Sequence, residues 1–270
     1  MSSGSLRVAA NLSSVFMFKE CSSLAEMYEA AGVAGFKLIE CGNPYLETCE
    51  TLKRIISRHG IKQHLINAPN GACDETKYGF ACLPGKQSEF KKSIEKACDY
   101  ASALECKKVH VMAGLIGKDC TYSVAEDFYV TNIKWASDYL AKKDILCLIE
   151  PLNSHTVPGY FLSRFEQAVK ILQRLNHANV KLMVDMFHLQ MSEGYLTRWL
   201  KDLMPQIGHV QVAQVPSRHE PDYPGEINYQ YIFDLLKSEG YTTGIVGAEF
   251  TPSGPTSQCI GWIKKFGLSF

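Results

Sequence analysis

Three carboxylates in the second half of the chain stand where acids are costly. Glu150 ends the apolar run Ile145-Leu146-Cys147-Leu148-Ile149, Asp185 ends Val180-Lys181-Leu182-Met183-Val184, and Glu249 ends Gly244-Ile245-Val246-Gly247-Ala248. A five-residue apolar run fits a strand covered on both faces, as in a parallel sheet flanked by helices. Pro151 then closes the first of these, having no N–H for a ladder. Gln211, in Ile207-Gly208-His209-Val210-Gln211-Val212-Ala213, adds an amide oxygen from a further run. Oxygen donors of this kind suit Mg²⁺ or Mn²⁺, with water or substrate oxygens completing the shell. The competing reading is a set of ion pairs closing one end of the fold. Against it, gathered carboxylates repel unless a cation or a proton is shared.

Other groups of matching chemistry lie close by in sequence. His188 stands one turn beyond Asp185 and could bond a substrate oxygen, bind an ion or cap a helix. His110 and His64 sit within strand-like runs, where a pocket role and a core role are both open. His209 shares a strand face with Gln211, because strand side chains alternate. Asn11, Glu40 and Asn67 each end a strand-like run. Arg218, in the turn-rich Pro216-Ser217-Arg218-His219-Glu220-Pro221, could clamp a substrate carboxylate or simply face solvent.

The elements that would position these groups alternate along the whole chain. Strands are expected at 6–11, 35–40, 61–67, 108–112, 144–150, 180–185, 207–213 and 244–249. Helices are expected from the Ser22-Ser23 cap to Ala31 with Gly32 as stop, and over 46–59 with Gly60 as C-cap. Others are expected at 88–104, 123–141, 163–175, 196–203, 229–239 after Asn228 as N-cap, and 260–266. Eight strand–helix units without a linker predict one (β/α)8 TIM barrel domain, residues 1–270. An open doubly wound sheet would use fewer units and a glycine-rich first turn, which Ala10-Asn11-Leu12-Ser13 lacks. In a closed barrel the C-terminal strand ends surround one pocket, so the polar residues above would converge there. Residues 68–86 form a long loop that could act as a lid.

Composition narrows the function. The 270 residues carry 28 basic and 28 acidic groups, a formal net charge of zero. Neither nucleic acid nor an anionic membrane is implied as partner. No apolar run approaches the length of a membrane span, and the first residues lack a secretory signal, so a cytoplasmic location is expected. The ten cysteines are scattered singly and read as reduced thiols. The glycines near 71, 79 and 85 are too irregular for a phosphate loop, so no nucleotide cofactor is expected. Homo-oligomer formation is left open.

The stretches Val109-His110-Val111-Met112-Ala113-Gly114, Ile149-Glu150-Pro151-Leu152-Asn153, Val184-Asp185-Met186-Phe187-His188 and Gly208-His209-Val210-Gln211-Val212-Ala213 resemble the hydroxypyruvate isomerase family of the xylose-isomerase-like barrels. Arg218-His219-Glu220-Pro221, Gly225-Glu226-Ile227-Asn228 and Gly247-Ala248-Glu249-Phe250 complete a similarity spanning almost the whole chain. The resemblance implies Glu150 and Glu249 as the acid/base pair. It also implies Glu150, Asp185, Gln211 and Glu249 around a divalent ion, and a small hydroxy-oxo acid as substrate, met by His188, Arg218, His110 and Asn67. The reaction implied is interconversion of hydroxypyruvate and tartronate semialdehyde. Gln211 stands where sugar-epimerase relatives present histidine, and an amide oxygen is the weaker ligand, so a strict metal requirement is left open. Alternatives are 2-oxo-tetronate or sugar isomerisation, an abasic-site endonuclease with a multi-zinc cluster, and a non-catalytic pocket protein.

Overall fold

A computed structural model describes residues 5–241 and 243–270. Eight parallel strands close into a barrel in chain order: β1 (Arg7–Leu12), β2 (Leu38–Cys41), β3 (Lys62–Asn67), β4 (Lys108–His110), β5 (Leu146–Ile149), β6 (Val180–Asp185), β7 (Ile207–Val212) and β8 (Ile245–Ala248). The β1–β8 pairing, Arg7 to Ile245 through Ala10 to Ala248, shuts the ring. The expected (β/α)8 architecture is therefore present. Several strands are shorter than expected, and β5 and β8 stop one residue before Glu150 and Glu249. Both acids thus lie just past the ladder, free to turn inward over the barrel mouth.

Eight helices follow the expected order, and α6 is an additional one that was not expected: α1 (Leu24–Val33), α2 (Cys49–His59), α3 (Gln87–Ala103), α4 (Tyr122–Ala141), α5 (Phe165–Leu175), α6 (Met186–Ser192), α7 (Leu196–Leu203), α8 (Tyr229–Ser238) and α9 (Gly261–Lys265). Gly60 caps α2 in the left-handed conformation, and the Asn228 side chain caps α8 by accepting from the Tyr231 N–H. Gly32 corrects its expectation. It lies inside α1, which runs on to Val33, and a Cβ there would meet the His59 ring at 2.4 Å. This glycine is needed for the close approach of α1 to α2, not for stopping a helix. No helix among the described residues is long and apolar enough to cross a membrane.

The main apolar core fills the layer between barrel and helices, anchored by fully buried Trp262, Phe165, Phe233 and Tyr129. Only small apolar clusters, including Leu65, Leu148 and Met183, lie apart from it. The loop 68–86 is largely part of the fold, because Phe80, Ala81, Cys82 and Leu83 are buried and Gly79 bridges to Ala113. Its exposed residues are concentrated in the turn at 70–75.

Candidate active site at the C-terminal mouth of the barrel

Strand register brings the acids together. Asn11 pairs with Glu40 across β1–β2, and Asp185 pairs with Gln211 across β6–β7. Glu40, fully buried, accepts from Asn11 Nδ2 at 3.2 Å and Gln211 Nε2 at 2.9 Å, and its other oxygen contacts His209 Nε2. Room for this carboxylate comes from Gly247, where a Cβ would sit 2.3 Å from Glu40 Oε1. Asn11 Nδ2 also reaches Glu249 Oε1 at 2.9 Å, so Glu40 is tied to the acid that ends β8.

Above this layer one guanidinium nitrogen joins two carboxylates. Arg218 Nη2 donates to Asp185 Oδ2 at 2.9 Å and Glu249 Oε2 at 2.8 Å. The guanidinium lies between the rings of Phe16 and Phe187, 4.8 and 4.7 Å from their centroids, which fixes its plane. The expectation of Arg218 as a free clamp for substrate is thus modified: in this structure Nη2 is engaged by the protein's own acids. Asp185 also caps α6, accepting from the Phe187 N–H at 2.9 Å.

Glu150 is the least compensated member. It is 4% exposed, its Oε1 has no hydrogen-bond partner, and its Oε2 lies 3.7 Å from His110 Nε2. Both His110 nitrogens are themselves unpartnered, and burial pulls the imidazole down to about 3, so it is neutral. Burial, then the Glu249 and Asp185 charges, push Glu150 well above the usual carboxyl range. Glu249, whose side chain is 16% exposed, is pushed up to about 8 by burial, while Arg218 pulls it down and Asp185 and Glu40 push it up. Asp185 is also raised, by burial against the opposing pull of Arg218.

Of the histidines, His188 belongs to the cluster, with Nε2 3.6 Å from Asp185 Oδ2. Its Nδ1 accepts the Asn153 backbone N–H at 3.1 Å. Burial keeps the ring neutral, so the single proton sits on Nε2, which faces the acids as a donor. His64 lies elsewhere, near the N-terminal end of the barrel, with Nε2 3.1 Å from Lys108 Nζ. Asn67 ends β3 as expected, but its recorded hydrogen bond is a carbonyl accepting the Tyr45 hydroxyl at 2.6 Å, and its amide does not join the acids among the described residues. Reading the sequence assigned no role to Asn153, Phe16 or Phe187. Glu40 was expected among the strand-end residues of the pocket, but without a specific role.

A divalent ion fits the donor set. The buried Glu150 Oε1 and Gln211 Oε1 both lack partners, and Gln211 Nε2 is engaged by Glu40, which leaves the amide oxygen as its free ligand atom. Glu150, Asp185 and His188 can bring one ligand atom each to within 4.8 Å of one another. Of the expected ligands, Glu150 and Asp185 belong to this group, and Glu249 does not; His188, expected on the substrate, takes its place.

These acids set a stability trend. A carboxyl group with a raised folded pKa holds a proton that the unfolded chain has already released, so its contribution is present at low pH and lost as pH rises through the folded value. The buried neutral histidines act oppositely, but only below about 6.5, the ordinary histidine value. Without divalent ions, the melting temperature is therefore expected to fall between pH 6.5 and 8. Mn²⁺ should raise it, and more at pH 8 than at pH 6.5, because the ion competes with protons. Scanning calorimetry checks this; a flat profile with no ion-dependent shift would contradict the coupled acid cluster.

Comparison with known proteins agrees with the geometry. A human protein named "putative hydroxypyruvate isomerase" is 41% identical over 97% of this chain and 95% of that protein. A 2-oxo-tetronate isomerase of Cupriavidus necator is 37% identical over 96% of this chain and 98% of that one. A crystal structure described as an AP endonuclease of family 2 from Brucella melitensis superposes with a TM-score of 0.91 at 37% identity, covering 96% of this chain and 98% of that one. The profile described as "Xylose isomerase-like TIM barrel" matches residues 28–266, and the chain belongs to that family.

Proposed function

We propose that the chain isomerises a small hydroxy-oxo acid, interconverting hydroxypyruvate and tartronate semialdehyde. The observation that carries this reading is a pair of carboxyl groups in unlike surroundings at one barrel mouth. Glu249 accepts from Arg218 and Asn11, donors that favour its ionised form. Glu150 is buried beside the neutral His110 and feels the charges of Glu249 and Asp185, so it favours its protonated form. Such a split lets one group act as base while the other acts as acid.

In the direction from hydroxypyruvate, Glu249 removes a proton from the hydroxymethyl carbon, leaving an enediolate. Glu150 delivers a proton to the neighbouring former carbonyl carbon, while the hydroxyl proton passes between the two oxygens. His188 Nε2–H is placed to donate to a substrate oxygen as charge develops there, a task a preorganised donor performs without rearrangement. Arg218 is the nearby cation for the substrate carboxylate, once it exchanges one of its internal partners. Glu150, Asp185, Gln211 and Glu249 would hold Mg²⁺ or Mn²⁺, which when bound supplies Lewis-acid stabilisation of negative oxygen. Asn67 and His110 line the same strand ends and would border the substrate.

The 2-oxo-tetronate isomerase relative makes a four-carbon acid the second reading, and the Brucella likeness raises DNA cleavage as a third. A neutral chain, with one clustered group of ligand-type acids and histidine among the described residues, favours a small acid over a nucleic acid. The test is a panel of three- and four-carbon hydroxy-oxo acids and free sugars, with and without Mg²⁺ or Mn²⁺, run in D₂O. Turnover of hydroxypyruvate with deuterium at the newly protonated carbon is expected. Failure on every acid, together with zinc-dependent cleavage of abasic DNA, would move the chain to the nuclease reading.

A further inference from the structure

A cavity of about 820 Å³ opens at the opposite end of the barrel, at the starts of the strands, between the C-terminal ends of α2 and α3. Its wall carries Arg7, Lys53, Lys62, Lys107, Lys108 and His64, against the single carboxylate of Glu105. Lys107 has a partner in Asp144 at 3.1 Å. Among the described residues, Arg7, Lys53, Lys62 and Lys108 form no ion pair. Like charges do not collect around a concavity without cost unless an anion offsets them.

Lys108 is the most telling of these groups. Its Nζ donates to the Gly208 carbonyl at 2.9 Å and contacts His64 Nε2 at 3.1 Å. An ammonium has three protons, so one is left without a recorded partner. The carboxylate acting on it is Glu40, already engaged by Asn11, Gln211 and His209, and burial pulls Lys108 down to about 8. His64 is neutral, lowered first by burial and further by His209, Lys108 and Arg7, so it offers an acceptor and no competing charge.

Helix C-termini ordinarily repel anions. Here the terminal carbonyls are already engaged: Ile56 accepts from Ile61 at 3.0 Å, Tyr100 from Leu104 at 2.9 Å and Ala101 from Cys106 at 2.8 Å. The cation excess is therefore met by few free acceptors. We propose that this N-terminal mouth is a binding site for a small free polyanion carrying two or more phosphate or carboxylate groups, separate from the acid cluster at the other end. Arg7 and Lys62, projecting from the first residues of β1 and β3, grip its outer groups, and Lys108 meets the innermost one.

The experiment is calorimetric titration of the full chain with inorganic pyrophosphate, at pH 7, low ionic strength and without divalent ions. One-to-one binding is expected, weakened at least fivefold by Arg7→Gln and by Lys62→Gln, both exposed, and unchanged within twofold by Arg218→Gln at the opposite mouth. High salt should weaken it as well, through screening. No binding by the unsubstituted chain, indifference to Arg7→Gln and Lys62→Gln, or loss on Arg218→Gln would overturn the proposal. So would displacement of pyrophosphate by a DNA oligonucleotide at equal phosphate concentration, which would make the occupant a nucleic acid.

Discussion

Glu150→Gln and Glu249→Gln are each expected to lower isomerase turnover by about 10²- to 10⁴-fold, the range that a positioned acid or base contributes. Neither should unfold the chain. Glu150 is buried, holds its proton tightly and has one oxygen without a partner, so a neutral amide of the same shape removes no ion pair. Folding obliges Glu150 to take up a proton that the unfolded chain has released, a cost that an amide avoids, so the melting temperature of Glu150→Gln should equal or exceed that of the parent above pH 7. Glu249→Gln has a cost of its own, because the bridge from Arg218 then ends on a neutral group. Turnover within tenfold of the parent for both variants, on whichever acid proves to be the substrate, would remove these residues from the proton-transfer step.

Glu40→Gln should produce the second large effect, in stability and ion binding together. The native carboxylate accepts from Asn11 and Gln211 on one oxygen and faces His209 with the other. An amide there turns an N–H₂ toward groups that themselves donate. A hydrogen bond to a charged group is worth about 1.5–3 kcal/mol, and the substitution weakens several at once. It also frees the Gln211 amide to rotate, so that its unpartnered oxygen is no longer held in one place. The half-saturating Mn²⁺ concentration for thermal stabilisation should therefore rise at least tenfold. Gly32→Ala is the control: it strains the α1–α2 contact against His59, far from the acids, and should lower stability while leaving the Mn²⁺ dependence alone. If Glu40→Gln and Gly32→Ala behave alike toward Mn²⁺, Glu40 is a packing residue and does not position Gln211.

The barrel itself was legible from local rules. Apolar runs at regular intervals, capped helices between them and the absence of a linker are enough to predict eight strand–helix units, and closure follows from their number. The same logic located Glu150, Asp185, Gln211 and Glu249, because an acid or amide at the end of a buried strand marks itself. Gly32 misled because a glycine near a helix end has two uses, a left-handed cap and a close approach. Only the neighbouring helix separates them. His64 and His110 were indistinguishable for a similar reason: a histidine in a strand carries no mark of which end of the barrel it faces.

Residue types and their strand-end positions, readable in the chain alone, determined that oxygen donors would gather at one barrel mouth. Tertiary structure decided which atoms of those donors are free. Glu40 lies across the barrel from β7, yet it takes up the Gln211 nitrogen, and the Gln211 oxygen is left buried without a partner. Arg218 comes from a loop more than 30 residues beyond Asp185, and two aromatic rings hold it where one nitrogen bridges Asp185 and Glu249. These are contacts between elements distant in sequence, set by register and by the space that Gly247 leaves open, and no local pattern encodes them. The cations at the other mouth follow the same rule, since scattered residues such as Arg7, Lys62 and Lys108 become one site only when the strands close.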